Sequence, residues 1–106
     1  DVPRLAAHGA LDGVNSQLRK SGGLTEALRV VAVARAHGLR ILVGCYGHTA
    51  LGNVVAAALS PVVDYLDLDS HLNLKADPFQ ALPLAGGGLA LPAGPGFAIS
   101  HATTPR

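Results

Sequence analysis

The apolar residues of this chain fall into two rhythms, and the two alternate. Arg40 to Cys45 is a nearly continuous apolar run with Ile41, Leu42 and Val43 at its centre, the pattern of a strand buried on both faces of a parallel sheet. Just before it, Leu24 to His37 carries Leu24, Leu28, Val31 and Arg35 at helical spacing, and Gly38 supplies a left-handed stop. Glu26 lies near the positive end of that helix, and Arg35 and His37 lie near its negative end, as the helix dipole prefers. Val14 to Leu18 predicts an earlier strand, bounded by Gly13 and by Gly22-Gly23. Ahead of that, Asp1-Val2-Pro3 opens a short helix that His8-Gly9 ends. Downstream, Thr49 caps a helix running to Leu59, which Pro61 stops. Val62 to Asp69 predicts a third strand, ending in Asp67-Leu68-Asp69.

After Asp77-Pro78-Phe79 the rhythm is lost. Short apolar pieces are cut by Gly86-Gly87-Gly88 and Gly94-Pro95-Gly96, which predicts a hairpin or an irregular closing segment. The expected organisation is one domain over residues 1–99 and a flexible tail over 100–106. Strands alternating with helices of this length predict an α/β fold with parallel strands. In such folds chemistry gathers at the C-terminal ends of the strands. Three patches qualify by position: Gln17 to Lys20, Gly44 to His48, and Asp67 to His71.

Composition narrows the function classes. With 106 residues there is room for one core, and 49% apolar against 14% charged residues excludes an intrinsically disordered chain. A net charge of +1 and the absence of Trp give no reason to expect nucleic acid or an anionic membrane as partner. The single cysteine, Cys45, excludes an internal disulfide framework and an all-cysteine zinc site. No apolar run approaches the roughly 20 residues of a membrane span, and no basic-then-apolar leader opens the sequence, so a cytoplasmic location is expected. The sequence has no Met, so Asp1 is not a translation start and a fragment or processed chain is expected.

The patches themselves carry a resemblance. The stretches are Gly13-Val14-Asn15-Ser16-Gln17-Leu18-Arg19-Lys20-Ser21-Gly22-Gly23, Val43-Gly44-Cys45, Tyr65-Leu66-Asp67-Leu68-Asp69, Ala76-Asp77-Pro78-Phe79 and Leu91-Pro92-Ala93-Gly94-Pro95-Gly96. In this order they resemble the C-terminal part of an enolase-superfamily barrel of the muconate-lactonizing branch, most of all the dipeptide epimerases. The resemblance implies a partial (β/α)8 TIM barrel comprising the sixth to eighth strands. It also implies isomerase chemistry, in which a lysine removes a proton alpha to a carboxylate while Mg2+ stabilises the enolate. The family's Asp-x-Asp, which holds the substrate ammonium, is matched by Asp67 and Asp69. Alternate strand residues point the same way, so both carboxylates can face one cation.

The family's lysine on the sixth strand falls at Gln17, because the usual Asn-x-Lys-Leu reads Asn15-Ser16-Gln17-Leu18. Glutamine has no titratable group and cannot serve as a general base. Lys20, at an odd offset, points to the other face of a regular strand. A glutamate common after the seventh strand falls at His48. The magnesium carboxylates, the capping domain and the second catalytic lysine all belong upstream of Asp1, so no cofactor is expected in this chain and no native epimerisation by it alone. A barrel closes with eight strands and about 250 residues. Three strands leave two open edges and an uncovered apolar face. Self-association into a homo-oligomer is expected first, then pairing with a separate N-terminal fragment.

Other readings of the same residues stay open. His48, Asp67, Asp69 and His71 could form a new site, either for a divalent metal such as zinc or as an acid–base set for hydrolysis or small-molecule binding. The plainer reading makes both histidines exposed loop residues and leaves the chain without a metal. Cys45 with His48 suggests a thiol nucleophile, against which stands a buried, inert thiol. Gly22-Gly23 before a helix could cradle an anion, or serve close packing alone. The helix from Leu24 is apolar over most of its circumference, which predicts burial in an assembly. A structural remnant without activity is the third function class.

Overall fold

The apolar run around Ile41 becomes the middle of a sheet. In the computed structural model, which describes residues 1–80 and 82–103, strand β2 (Arg40–Gly44) lies between β1 (Gly13–Gln17) and β3 (Tyr65–Leu66), parallel to both. Parallel neighbours require crossovers. Helix α3 (Leu24–Ala36) lies on the connection from β1 to β2, and α4 (Ala50–Ala57) on that from β2 to β3. A short α1 (Val2–Ala6) precedes the sheet. The result is an α/β arc of three parallel strands joined by two helical crossovers, which does not close into a barrel, as the resemblance predicts. Among the described residues no helix is long and apolar enough to cross a membrane.

Ile41 and Val43 are sealed from solvent, and each anchors a cluster beneath a helix. Ile41 packs with Val31, Ala34 and Leu39; Val43 packs with Ala27, Ala56, Ala57, Leu59 and Leu68. The buried stripe of α3 is Ala27, Val31 and Ala34, while Leu28 is about half exposed at 48%. The expected stripe through Leu28 is therefore rotated. Small alanines let the helix approach the sheet closely, and the larger leucine is turned outward.

Two boundaries differ from expectation. The first strand ends at Gln17, and Leu18–Ser21 forms a helical turn, α2, closed by Gly22 at a left-handed φ of 97°. Ser21 donates its hydroxyl to the Gln17 carbonyl at 2.9 Å, which pulls the chain out of extended geometry there. Lys20 is thus a helical residue rather than one on the far face of a strand. The third strand is only Tyr65–Leu66, because Pro61 starts a 3-10 turn over Ser60–Val62 where extension was expected.

The closing segment is a hairpin of β4 (Leu84–Ala85) and β5 (Gly88–Leu89). Gly86 and Gly87 both take positive φ, as a two-residue turn matched to strand twist demands. His101, assigned to the tail by sequence, forms a bridge with Phe79 and stacks on its ring at 4.9 Å between centroids. Residues 104–106 of the expected tail lie outside the described residues.

Asp64 ties three elements. Its carboxylate accepts the Ile41 amide at 2.7 Å and the Arg35 guanidinium at 2.9 Å. The hydrogen bond from Ile41, then the Arg35 guanidinium, holds its carboxyl below the usual range. A depressed carboxyl favours the folded state above its unfolded pKa, and that contribution disappears as pH falls through the folded one. Asp64→Asn should therefore flatten the acid limb of the stability profile below the ordinary carboxyl range. Urea unfolding followed across pH checks this, and an unchanged acid limb contradicts it.

Candidate ligand-binding site

The strand register decides which side chains share the C-terminal rim of the sheet. Gln17 is paired with Gly44, and Val43 with Leu66. One further step brings Asp67 level with Gly44, and the Asp67 amide continues the ladder by donating to the Val43 carbonyl at 3.0 Å. Gln17, Gly44 and Asp67 thus form one row across three strands. With strands about 4.8 Å apart, the two outer backbones stand about 10 Å apart. Gly44, between them, carries no side chain of its own. A methyl group at Gly44 would come within 3.0 Å of the Asn15 side-chain oxygen, so glycine leaves room for the Asn15 amide over the middle of the row.

Asp67 and Asp69 are both exposed, and Leu68 between them is buried beneath the sheet. Cys45 joins them: its sulfur and one oxygen from each carboxylate lie within 4.8 Å of one another. Beside the pair is a cavity of about 520 Å3 whose walls include Leu66, Leu84, Leu89 and Leu91. Two adjacent carboxylates above apolar walls attract a cation attached to an apolar body.

The segment that carries the carboxylates is held from several sides. Asn53, fully buried on α4, donates from Nδ2 to the Leu68 carbonyl and to His71 Nδ1, each at 2.8 Å. Ser70 accepts the His48 amide at 3.1 Å and donates to the His48 carbonyl at 3.4 Å. The Ser70 amide donates to Cys45 Sγ at 3.4 Å, and that thiol donates to Asp69 at 3.9 Å. Asp77 accepts the Ala50 amide at 2.6 Å and the Phe79 amide at 2.9 Å, anchoring the start of α4 to the closing segment. Thr49 adds the N-cap read from sequence, accepting from the Gly52 amide.

The histidines sit elsewhere. His71 is 4% exposed, in the 3-10 turn Ser70–Asn73, with its ring turned to Asn53. His48 is 7% exposed and packs its ring against Gly52. Neither is an exposed loop residue. Among the described residues, the metal-capable cluster is Cys45 with Asp67 and Asp69, and neither histidine belongs to it. This thiol–carboxylate set does not suit Mg2+, which takes hard oxygen ligands in an octahedron. Cys45 is half-buried rather than enclosed, and its hydrogen bonds run to Asp69 and Ser70 rather than to His48. Gln17 stands at the β1 end of the row, with its side-chain oxygen buried and unpaired.

Two residues that position the site, Asn53 and Ser70, were not singled out from sequence, and Asp77 was quoted within the Ala76-Asp77-Pro78-Phe79 stretch without a positioning role. Asn53 left a usable signal, as the one polar side chain able to hydrogen-bond within Ala50–Ala57.

Residues 1–103 match the family described as enolase C-terminal domain-like. The chain is 46% identical over 96 residues to a hydrophobic dipeptide epimerase from Flavobacteria bacterium (strain MS024-2A), covering 91% of this chain and 27% of that protein. It is 36% identical over 94 residues to the L-Ala-D/L-Glu epimerase of Bacteroides thetaiotaomicron, covering 89% and 24%. Among solved structures, a substrate-liganded L-Ala-D/L-Glu epimerase from Bacillus subtilis superimposes with a TM-score of 0.84 at 30% identity, over 95% of this chain and 29% of that one. The dipeptide epimerase of Cytophaga hutchinsonii, complexed with Mg and D-Ala-L-Val, gives 0.84 at 28% identity over 95% and 29%. The chain thus spans about 27% of the length of the first of these curated relatives.

Asp77→Ala should cost about 1 kcal/mol, the usual loss for a helix-start acceptor, with Asp77→Asn recovering part of it. Denaturant midpoints of the three proteins measure this, and equal midpoints remove Asp77 from its anchoring role.

Proposed function

The chain belongs to the enolase C-terminal domain-like family, and from that premise we propose that Asp67 and Asp69 hold the ammonium group of a dipeptide. The observation that carries this reading is the exposed carboxylate pair at the rim, beside Gly44. An ammonium group offers three donors, enough to engage both carboxylates at once. The leucine walls of the adjoining cavity suit an apolar residue in the ligand, in keeping with the hydrophobic dipeptide epimerase among the relatives.

Gln17 occupies the row position from which a lysine would take the alpha proton. Its amide hydrogen-bonds but accepts no proton in this pH range. The 106 residues therefore bind without deprotonating. Epimerisation requires a base and magnesium ligands supplied by other polypeptide. We place the protein in the cytoplasm. Among the described residues the outer edges of β1 and β3 are unpaired, and Tyr65 and Leu66 are 40–50% exposed, which favours association with a second copy.

Titration with L-Ala-L-Ala should move the carboxyl NMR signals of Asp67 and Asp69, whereas N-acetyl-L-Ala-L-Ala should not. Asp67→Asn or Asp69→Asn should weaken binding about tenfold, as expected for a lost charge-assisted hydrogen bond. Equal binding of the acetylated peptide would sink the ammonium reading. Deuterium should not enter the alpha carbon, with or without Gln17→Lys. Light scattering at micromolar concentration should give a mass above 10.7 kDa, and a stable monomer contradicts self-association.

A further inference from the structure

The Asp67–Asp69 segment is a loop beyond a two-residue strand, yet the proposed ammonium site needs both carboxylates held still. What holds them is an amide on the neighbouring helix. We propose that Asn53 and His71 form a positioning clamp that fixes the spacing and aim of Asp67 and Asp69; this rests on the ammonium-binding reading given above.

The hydrogen-bond chemistry leaves one arrangement. The Leu68 carbonyl is an acceptor only, so the Asn53 atom 2.8 Å from it is the NH2 group. That group has two hydrogens. One serves Leu68, and the second points to His71 Nδ1, also at 2.8 Å. Nδ1 must then present its lone pair, and the imidazole carries its proton on Nε2. Asn53 is wholly buried and His71 nearly so, which makes an incorrect donor–acceptor match costly, while Asn53 Oδ1 and His71 Nε2 are left without a protein partner.

Leu68 is where the clamp meets the site. Its carbonyl lies on the backbone between the two aspartates and is pinned by Asn53. Its side chain is buried with Val43, Ala57 and Leu59. The peptide joining the carboxylates is thus fixed from the amide side and from the core side together. His71 fixes the Asn53 amide, and the Cys45 thiol adds a weaker contact on Asp69 itself. A clamp of this kind acts on ligand affinity through the two aspartates, with neither Asn53 nor His71 touching the ligand.

The test uses the full 106-residue chain, isotopically labelled, with L-Ala-L-Ala as probe. In the wild type the His71 nitrogen signals should show an unprotonated Nδ1 and a protonated Nε2. In His71→Asn the amide oxygen replaces Nδ1 as acceptor, so affinity should stay within about twofold, whereas His71→Leu and Asn53→Asp should lose roughly tenfold, as removal of an outer hydrogen-bond partner does. The carboxyl signals of Asp67 and Asp69 should shift in His71→Leu and not in His71→Asn. A proton on Nδ1 in the wild type overturns the clamp, and so does equal damage from the two His71 variants. If Asn53→Asp does not fold, the His71 pair and the wild-type tautomer still decide. If the wild type binds no dipeptide, the ammonium reading fails, and the carboxyl signals of the His71 pair decide the clamp separately.

Discussion

Burial of Ile41 and Val43 on one face of the central strand is the constraint from which the rest follows. Alternation sends their neighbours Leu42 and Gly44 to the opposite face. A slip of one residue would bring Leu42 and Gly44 under the helices and expose the two most enclosed side chains of the sheet. Register is therefore fixed by the core, and the rim row of Gln17, Gly44 and Asp67 comes with it. The site is placed by hydrophobic packing several ångströms below it. No residue of the rim need contribute to stability for the row to form.

The helices reach that sheet on small side chains. The buried surface of α3 is mainly alanine, and α4 buries Ala50, Ala56 and Ala57 beside Asn53 and Val54. Close approach has a consequence beyond packing. A short amide side chain on α4 reaches the backbone at Leu68, which bulkier helix residues would have held out of range. Asp77 fixes the start of the same helix against Phe79. Two loops and one helix thus become a unit around the carboxylate pair.

Much of this was legible in sequence where the signal was local. The apolar run at Ile41, the glycine stop at Gly38, the Thr49 cap and the glycine turn at Gly86-Gly87 each depend on neighbours within a few residues. The Asp-x-Asp spacing was readable for the same reason. The missed features are long-range or steric. Leu18 looks like a strand residue until the Ser21 hydroxyl captures the Gln17 carbonyl. His71 looks like an exposed loop residue because its partner, Asn53, lies 18 positions earlier on another element. His101 looked like tail because its stacking partner Phe79 is across a bridge.

Binding, as proposed, and turnover place different demands on this rim. Holding a cation requires charge and fixed geometry, which the two exposed carboxylates and their anchored backbone supply. Removing an alpha proton requires an acceptor whose pKa lies near the working pH, and an amide at position 17 offers none. Gln17 has much of the length of a lysine, so on the proposed reading the row keeps its shape without a titratable group. Substituting lysine back would restore a titratable group yet not the charge that must stabilise an enolate, because the nearby thiol–carboxylate cluster is the wrong donor set for a hard cation. Reactivity in this fold is distributed around a closed ring of strands. On the proposed reading an arc of three strands carries the part that recognises, and its core is sufficient to position that rim.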